Sequence, residues 1–353
     1  MTPKVYIVVL NYKSWEDTVE CLESIFRLTY HNHQVIVVDN NSPNHSMYYI
    51  EQWAKGLLDV FLSIHSPLRR LSYPPIPKPI SYKLYTKYEA EQGGIFADNT
   101  PLILVQAGEN KGYSTGNNIG LRFALSRNDF EYIWILNNDT VVENDSLEEL
   151  VKRTVQYKEE KRKIGLIGAK LLYYHQPAHI QSAAGSRCTN WLAYLDNGVG
   201  NAAKDVGQFN TDEVDATFIS GACTFITKSF LEEVGLLGED YFLYFEEPDW
   251  VERGKKAGYQ ELGYVWRAKV FHKEGTSIGG GARKKKMVTK FADYYFTRSK
   301  IIYTRKFHPE YLPTLYVSLL VGVLKRIKRG QWDRASMMIK LMLNPSKSYP
   351  SQD

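Results

Sequence analysis

The chain has 353 residues, 44% hydrophobic and 24% charged, which is ordinary for a globular protein and excludes a collagen-like or intrinsically disordered one. This length allows one large α/β domain with an appendage, or two domains. The net charge is only +5, but Lys and Arg crowd roughly the last 80 residues, which indicates a surface suited to an anionic partner.

The cellular location is inferred from the cysteines and the apolar segments. Cys21, Cys188 and Cys223 have no metal-binding spacing, and an odd count in so long a chain argues against a disulfide framework. The N-terminus runs into a strand pattern without the cleavage site of a signal peptide, and no stretch reaches the roughly 18 apolar residues that span a bilayer. We therefore expect a cytoplasmic protein in a reducing compartment.

The first 40 or so residues predict a strand, a helix and a second strand. Residues 5–10 are β-branched and apolar, residues 15–28 place apolar side chains at helical spacing, and residues 34–38 are again apolar. A strand, helix and strand in this order form a right-handed parallel crossover. We therefore expect Asn11 and Asp39, which follow the two strands, to lie at the same edge of the sheet.

Residues 66–101 interrupt this alternation. Five prolines between positions 67 and 79 suit neither a helix nor a central strand. We predict an inserted, Pro-rich surface loop, and a lid over a binding site is the alternative.

A strand at residues 102–106 leads into a glycine-containing helix start at residues 110–120. Glycines at positions 112, 116 and 120 allow a ligand to approach the backbone, and the amides at a helix N-terminus favour anions such as phosphate. The spacing differs from the GxGxxG fingerprint of dinucleotide-binding proteins, so we do not expect a nicotinamide cofactor.

The sequence from 131 to 140 is the most informative segment of the chain. Residues 133–136 are apolar without alternation, which is typical of a strand buried on both faces of a parallel sheet. Asp139 follows this strand, where open α/β sheets bind ligands, and is the first candidate for chemistry. The alternative is a turn and helix cap formed by residues 137–140, because a helix pattern follows at about 145–160.

The second half of the chain predicts mixed strands. Residues 164–174 and 217–227 have strand patterns and residues 228–234 form a short helix, whereas residues 175–215 are rich in Gly, Ala and Asn and have no clear pattern. A strand at 265–271 ends at His272, which alone would be interpreted as a structural residue.

A second polar cluster lies at residues 239–250. Pro248 suits the first position of a helix, which would make Glu247 the N-cap with its carboxylate pointing off the helix end. Because the helix dipole also favours acids there, a purely structural cap is the alternative to a catalytic role.

The C-terminal region combines apolar and basic segments. A basic run at 283–286 precedes aromatic and basic residues, an apolar run at 311–324 follows, and cations at 325–334 end the pattern. The apolar run is too short to span a bilayer, but it suits a helix that lies on an anionic membrane surface. A packed helical cap with a solvated basic rim is the alternative, and we do not expect nucleic acid as a partner.

Six short motifs, taken together, resemble the family 2 inverting nucleotide-sugar glycosyltransferases of the GT-A fold, and especially their rhamnosyltransferase-like branch. They lie at residues 8–12, 37–42, 110–120, 136–140, 221–222 and 244–249, in the family's order. The resemblance implies an α/β protein with a mixed, mostly parallel central sheet flanked by helices at residues 1–275. A helical, basic, membrane-proximal region would follow at residues 276–353.

The resemblance also implies a donor site. Asp139 would hold a divalent cation, Mg²⁺ or Mn²⁺, and His272 would complete the metal site, although Asn137 stands where the family's motif begins with Asp. Asp39 would pair with the nucleotide base. The donor pocket would be lined by Asn11, Asp39, Asn41, Asn110, Gly112, Asn117 and Asn138.

The implied acceptor side contains the catalytic base. Glu247 matches the base that takes the proton from the acceptor hydroxyl, with Glu246 as the substitute. Gly221, Ala222 and Asp249 would contact the acceptor. The implied reaction transfers a sugar from dTDP-rhamnose or a UDP-sugar to a glycan or lipid-linked acceptor in cell-surface polysaccharide synthesis. This would take place at the inner face of the cell membrane, and a homodimer is a further expectation.

Two other functions remain open. A sugar nucleotidyltransferase would share the sheet and the metal, but it needs a Gly-rich, Arg-containing loop after the first strand, where this chain has residues 11–14 without Gly or Arg. A catalytically silent sugar-binding protein is compatible with Asn137. The presence of Asp139, Glu247 and His272 together argues against it.

Overall fold

The computed structural model describes residues 2–60, 62–95, 100–213, 215–273 and 289–346. The basic run at 283–286, which was predicted to be part of the membrane-proximal region, lies outside these ranges. The strands are β1 (Val5–Asn11), β2 (His33–Asp39), β3 (Tyr82–Thr86), β4 (Leu102–Gln106), β5 (Tyr132–Asn137), β6 (Thr140–Val142), β7 (Ile164–Tyr173), β8 (Gln176–Ala183), β9 (Gly185–Ser186), β10 (Cys188–Thr189), β11 (Tyr194–Leu195), β12 (Phe218–Ile219), β13 (Cys223–Thr227) and β14 (Glu261–His272).

The helices flank the sheet and form the C-terminal end of the described chain. They are α1 (Trp15–Ile25), α2 (Ser46–Lys55), α3 (Lys87–Glu91), α4 (Tyr113–Arg127), α5 (Ser146–Glu159), α6 (Lys228–Val234), α7 (Glu246–Lys256), α8 (Lys290–Phe307), α9 (Leu312–Lys328) and α10 (Trp332–Leu343). Single 3₁₀ turns lie at Arg69–Leu71, Asn190–Leu192 and Pro309–Tyr311.

One large sheet runs through the molecule in the order β3-β4-β2-β1-β5-β13-β7-β14-β6, with β8 beside β7. From β3 to β5 every neighbouring pair is parallel, and β13 then pairs antiparallel with both β5 and β7. This confirms the predicted mixed, mostly parallel sheet flanked by helices. The change of direction at β13 brings the start of that strand to the carboxyl end of β5.

The central strands are buried because helices cover both faces of the sheet. Ile133, Trp134, Ile135 and Leu136 in β5 are each at most 1% exposed, as the continuous apolar run predicts. Alternate residues of β1 and β5 pack into two separate cores, one on each face. The carboxyl ends of β1, β2 and β5 therefore carry polar side chains at one edge of a rigid sheet.

The glycines of α4 are used differently from the prediction. A Cβ at Gly116 would lie 2.5 Å from Leu10 Cδ1, and one at Gly120 would lie 2.7 Å from Val8 Cγ1. These two glycines therefore allow α4 to pack closely on β1. Their predicted role in the approach of a ligand is wrong.

The segment at 66–101 contains more secondary structure than the predicted loop. β3 extends the sheet as an edge strand parallel to β4, and Thr86 caps α3 through a reciprocal capping box with Glu89. The prolines at positions 67–79 precede the strand, so they do not interrupt its hydrogen bonds. Tyr85 is buried whereas its neighbours in β3 are largely exposed, and such a one-sided edge strand leaves only a weak sequence pattern.

Helices α8, α9 and α10 share a small hydrophobic core that includes Tyr294, Leu315, Leu319 and Met338. Residues 242–244, which precede α7, pack against this core. The C-terminal helices are thus joined to the chain segment that carries the second polar cluster. Within the part of the chain that the structure describes, no helix has both the length and the apolar character needed to cross a membrane.

Candidate active site

The first polar cluster lies where β1 and β2 end side by side. Asn11 pairs with Asp39 in the parallel register, and Asn11 Nδ2 donates to Asp39 Oδ1 over 2.6 Å. Asp39 Oδ2 also accepts from the Ser42 backbone N–H at 3.0 Å and from Gln106 Nε2 at 3.2 Å. Asp39 is 1% exposed, so its carboxylate is held in one orientation by donors from three chain segments.

Asn138 joins β5 to this cluster. Its Nδ2 lies 3.3 Å from Asn11 Oδ1 and 3.0 Å from Thr18 Oγ1, and Thr18 Oγ1 in turn donates to Asn11 Oδ1. The structure thus brings together Asn11, Asp39 and Asn138 from three strand ends. Asn41 differs, because it is exposed in the segment after β2, with φ of 59°.

The start of α4 closes one side of this edge. Asn40 Nδ2 donates to Asn110 Oδ1 at 3.0 Å and to the Gly112 carbonyl at 3.2 Å, which links the loop after β2 to the helix. Gly112 has φ of 94°, and a Cβ there would lie 2.2 Å from the Phe242 carbonyl oxygen. Asn117 is fully buried, and its Oδ1 has no hydrogen-bond partner among the described residues.

Asp139 and His272 form the pair that could hold a metal ion. Asp139 Oδ1 lies 3.0 Å from His272 Nε2, and Gln181 Oε1 lies 2.9 Å from His272 Nδ1. A ring that donates its Nδ1 proton to Gln181 presents the Nε2 lone pair towards the Asp139 carboxylate. Two acceptors this close need a proton or a cation between them, and a hydrogen-bonded outer nitrogen is the usual arrangement of a metal-binding histidine.

The donor set therefore fits two ligands of a divalent cation, one oxygen and one nitrogen. Across the described ranges, no group of three His, Cys, Asp or Glu side chains is arranged to hold a metal ion. Any further ligands would have to come from water or from a bound substrate, as is common for Mg²⁺.

The second polar cluster lies at the N-terminus of α7, but its cap differs from the prediction. Phe245, with φ of 73°, is the N-cap, and Glu246 and Glu247 are the first two helical residues. The prediction that Glu247 is the cap is wrong, because Pro248 occupies the third helical position. Acids in the first turn are still favoured by the helix dipole.

The Glu247 side chain rests directly on Gly221. A Cβ at Gly221 would lie 2.0 Å from Glu247 Oε1, so no larger residue fits there without moving the carboxylate. Tyr113 Oη donates to the Gly221 carbonyl over 2.6 Å and so braces the same loop. Burial raises the pKa of the Glu247 carboxyl to about 7, although backbone N–H groups of Glu247 and Gly221 act in the opposite direction.

Glu246 is buried beside Glu247. Burial, and then the charge of Glu247, raise the pKa of Glu246 well above its ordinary value. Its Oε2 has no hydrogen-bond partner within the described ranges. The two neighbouring carboxyls therefore both have raised pKa values, so this pair holds a proton more readily than exposed glutamates do.

Asp249 occupies a different environment from the two glutamates. Its carboxylate is completely buried and accepts from Arg253 Nε at 2.6 Å, from Lys306 Nζ at 2.6 Å and from Tyr241 Oη at 3.1 Å. These three donors occupy the carboxylate that was predicted to contact an acceptor. The structure therefore places Asp249 in a buried ion-pair cluster between α7 and α8.

The two polar clusters lie at the same end of the sheet. The Asn137 N–H donates to the Ala222 carbonyl over 3.0 Å, so the loop before β13 is attached to the carboxyl end of β5. Asp139 lies two residues beyond Asn137, and Gly221, which supports Glu247, immediately precedes Ala222. A small pocket beside this junction is lined by Tyr113, Gly221 and Glu247 and by apolar side chains that include Ile135 and Trp250.

Some contributors could not be identified from the sequence alone. Gln181 orients His272 from within the segment at 175–215 that had no clear pattern, and Tyr113 supports Gly221 from the start of α4. Asn40 and Gln106 bind neighbouring site residues through side-chain amides. Of these four residues, only Asn40 and Gln106 could have been suspected from the sequence, because they lie at the ends of predicted strands.

Comparisons with known proteins relate part of the sequence to a glycosyltransferase family and the fold to solved structures. Residues 6–70 match the family model described as glycosyl transferase family 2. The chain is 25% identical over 155 residues to the low-salt glycan biosynthesis hexosyltransferase Agl10 of Haloferax volcanii. That alignment covers 43% of this chain and 46% of the relative, so it spans about half the length of the curated relative.

Two solved structures share the fold at 12% sequence identity. GalNAc-T7 with UDP, GalNAc and Mn²⁺ superposes with a TM-score of 0.55, covering 99% of this chain and 58% of that one. The mannosyltransferase PcManGT from Pyrobaculum calidifontis, in complex with GDP-Man and Mn²⁺, gives a TM-score of 0.50, covering 98% and 89%. Together these matches show that the chain shares a GT-A-like fold with the two solved structures and that residues 6–70 are similar to glycosyl transferase family 2.

Proposed function

We propose that the protein is an inverting glycosyltransferase that moves a sugar from a nucleoside diphosphate to a hydroxyl of a glycan or lipid-linked acceptor. The observation that carries the proposal is a buried carboxylate, Glu247, whose pKa is raised to about 7 at the sheet end that also holds the Asp139–His272 pair. A base poised near neutral pH suits proton removal from an alcohol. The family match at residues 6–70 supports the same reaction class.

The donor nucleotide would bind where β1, β2 and β4 end. Asp39 would accept a hydrogen bond from the base, and Asn11 and Gln106 would hold its carboxylate in position. The Asn40 contacts to Asn110 and Gly112 would shape the adjoining wall of the pocket. Asn117 would offer its unpartnered Oδ1 to the ligand or to a water.

Asp139 and His272 would hold a divalent cation, which supplies charge neutralisation at the leaving diphosphate when it is bound. Gln181 would keep the His272 ring in the orientation and tautomer that leave Nε2 available. Asn137 removes one negative charge from the edge of the site. We therefore propose that Asp139 is the main carboxylate ligand and that its removal abolishes metal-dependent donor binding.

Glu247 would act as the general base. The acceptor oxygen forms a bond to the anomeric carbon as the bond from that carbon to the diphosphate breaks, and the acceptor proton passes to the Glu247 carboxylate. A single displacement of this kind inverts the anomeric configuration. Burial and the charge of Glu247 raise the pKa of Glu246, so this carboxyl would favour the neutral form more than an exposed glutamate does.

The transferred sugar is proposed to be a hexose or a 6-deoxyhexose such as rhamnose. The aligned relative is named as a hexosyltransferase, which supports a hexosyl donor. The rhamnosyl alternative rests on the resemblance of the six motifs, taken together, to the rhamnosyltransferase-like branch. The reaction would be one step in the synthesis of a glycan.

The proposal predicts that Glu247→Gln lowers the turnover number by a factor of about 10² to 10⁴, the usual contribution of a general base. UDP-, GDP- and dTDP-sugars would be screened with Mn²⁺ against free and polyprenyl-linked saccharides, with product anomers assigned by NMR. The rate of the unmodified protein should rise as pH increases through about 7, because Glu247 must lose its proton to act as a base. Glu252→Gln, on the same helix α7, is the matched control and should retain activity.

A Glu247→Gln variant with near-normal turnover would rule out the assigned base. A product with retained configuration would rule out the single displacement. Release of inorganic pyrophosphate from a nucleoside triphosphate and a sugar phosphate would instead indicate a nucleotidyltransferase.

A further inference from the structure

Helix α9 is apolar on two opposite faces. Leu315, Leu319 and Val323 face inward and are at most 6% exposed. Four residues at i, i+3, i+4 and i+7 spacing face outward with 45–64% exposure; they are Val317, Leu320, Val321 and Leu324. A surface helix normally places polar residues on its outer face, so this outer stripe requires an explanation.

Helix α10 extends the apolar surface beside α9. Met338 packs against Gly322, and Tyr316 Oη donates to the Met342 carbonyl over 3.0 Å, so the two helices run antiparallel in contact. The exposed side of α10 carries Trp332, Ile339 and Leu343, which are 66%, 44% and 81% exposed. We define these three residues and the four outward residues of α9 as the outer apolar face.

Cations surround the outer apolar face. Residues 312–343 contain one acid, Asp333, and six cations: Lys325, Arg326, Lys328, Arg329, Arg334 and Lys340. Arg326 is paired with Asp293, and Asp333 is paired with Lys290. Lys325, Lys328, Arg329 and Lys340 are exposed and form no ion pair with the described residues.

We propose that the outer apolar face binds an anionic phospholipid surface, with α9 and α10 lying parallel to the membrane plane. The exposed apolar side chains would enter the boundary between headgroups and acyl chains, and the surrounding cations would contact lipid phosphates. Trp332 suits that boundary because its ring is apolar and its indole N–H is polar. Within the predicted membrane-proximal region at 276–353, the proposed contact with the membrane is thus limited to the outer apolar face of α9 and α10.

The charge distribution favours lipid over a second copy of the chain. In a two-fold symmetric dimer the same patch meets itself, so the cations at one rim would face the cations of the other copy. An anionic lipid surface complements these charges at every rim position. The proposal does not depend on the sugar-transfer reaction.

The test is flotation of the full chain with vesicles of phosphatidylcholine alone or mixed with phosphatidylglycerol. Binding should be strong only with the anionic vesicles. Leu320→Glu/Leu324→Glu should lower vesicle binding at least tenfold. The matched control is Leu57→Glu/Ile64→Glu, at residues that are 73% and 76% exposed outside α9 and α10, and it should bind normally.

Lys325→Glu/Lys328→Glu separates the electrostatic contribution. Each cation near an anionic membrane contributes a factor of about five in affinity, so this variant should lose more than tenfold. Unchanged circular dichroism and melting temperature would establish that the variants fold. Equal binding to both kinds of vesicle, no binding, or normal binding by the Leu320→Glu/Leu324→Glu variant would overturn the proposal. So would a dimer in sedimentation that this variant disperses without vesicles.

Discussion

Glu247 can occupy its position because residue 221 has no side chain. A Cβ at position 221 would lie only 2.0 Å from Glu247 Oε1, and Tyr113 holds the Gly221 carbonyl in place. An isolated Gly-Ala pair in a sequence gives no indication of such a contact. Gly221 therefore supports the Glu247 carboxylate, in addition to its predicted position at the entrance for the acceptor.

We predict that Gly221→Ala lowers the turnover number about 100-fold, because the new methyl group displaces the Glu247 carboxylate by about 1 Å. The crowded site should lose about 1–3 kcal/mol of unfolding free energy. Steady-state kinetics and denaturant unfolding measure the two effects. If the methyl group acts through Glu247, the double variant with Glu247→Gln should be no slower than Glu247→Gln alone, whereas multiplied losses would contradict this.

Residue-scale prediction from the sequence works best where an acid or amide directly follows a buried strand. Asn11, Asp39 and Asp139 were identified in this way, because the end of a parallel strand sets where the next side chain lies. Gln181 could not be found, since its contact with His272 joins residues 91 positions apart and its own segment lacks a pattern.

At the scale of elements, α7 and α8 are joined by a buried charged cluster around Asp249. One carboxylate oxygen accepts from Arg253 within α7, and the other accepts from Lys306 of α8 and from Tyr241. Because α7 begins with Glu246 and Glu247, this cluster determines the position of the helix that carries the acids. A motif of adjacent acids could not distinguish this structural carboxylate from the catalytic candidates.

We predict that Asp249→Asn destabilises the fold by about 3–5 kcal/mol, because the neutral amide leaves Arg253 without an ion-pair partner among the described residues and turns an NH₂ group towards one of the donors. Lys306→Met should cost only about 1 kcal/mol, since the lysine is 35% exposed and Asp249 keeps its other partners. Denaturant unfolding followed by tryptophan fluorescence compares the two variants. An equal or smaller loss for Asp249→Asn would show that the cluster does not hold α7 in place.

Element prediction depended on how many faces of a segment are buried. The central strands left strong apolar patterns, whereas the edge strand β3 follows a Pro-rich segment and buries little more than Tyr85. The glycines of α4 were misinterpreted for a separate reason. A small residue on a helix is compatible with close packing on a sheet or with ligand approach, and only the contact with Leu10 and Val8 distinguishes the two.

At the scale of the whole molecule, the polar ends of β1, β2 and β5 and the loop that supports Glu247 lie at the same end of the sheet, and the C-terminal helices attach to the segment before α7. Residues 242–244 contact the core of α8–α10 and also precede the first turn of α7. A membrane-bound α9–α10 surface would therefore hold Glu247 at a fixed position relative to the lipid. The order of these elements followed from the sequence patterns, but their mutual contacts required the fold.

The donor-site proposal predicts a ligand effect on the stability of the whole chain. A ligand that binds only the folded state at 100 times its dissociation constant adds about 2.7 kcal/mol, so UDP, GDP or dTDP with Mn²⁺ should raise the melting temperature. EDTA should remove the part of the increase that depends on the metal. Asp139→Ala should lose that same part while keeping the effect of nucleotide alone, because Asp39, Asn11 and Gln106 remain in place.

The matched control Asp145→Ala replaces an exposed aspartate whose side chain makes no capping hydrogen bond, and it should respond to Mn²⁺ like the unmodified protein. An undiminished Mn²⁺ response in Asp139→Ala would mean that the cation binds elsewhere, and the Asp139–His272 contact would then be a structural hydrogen bond.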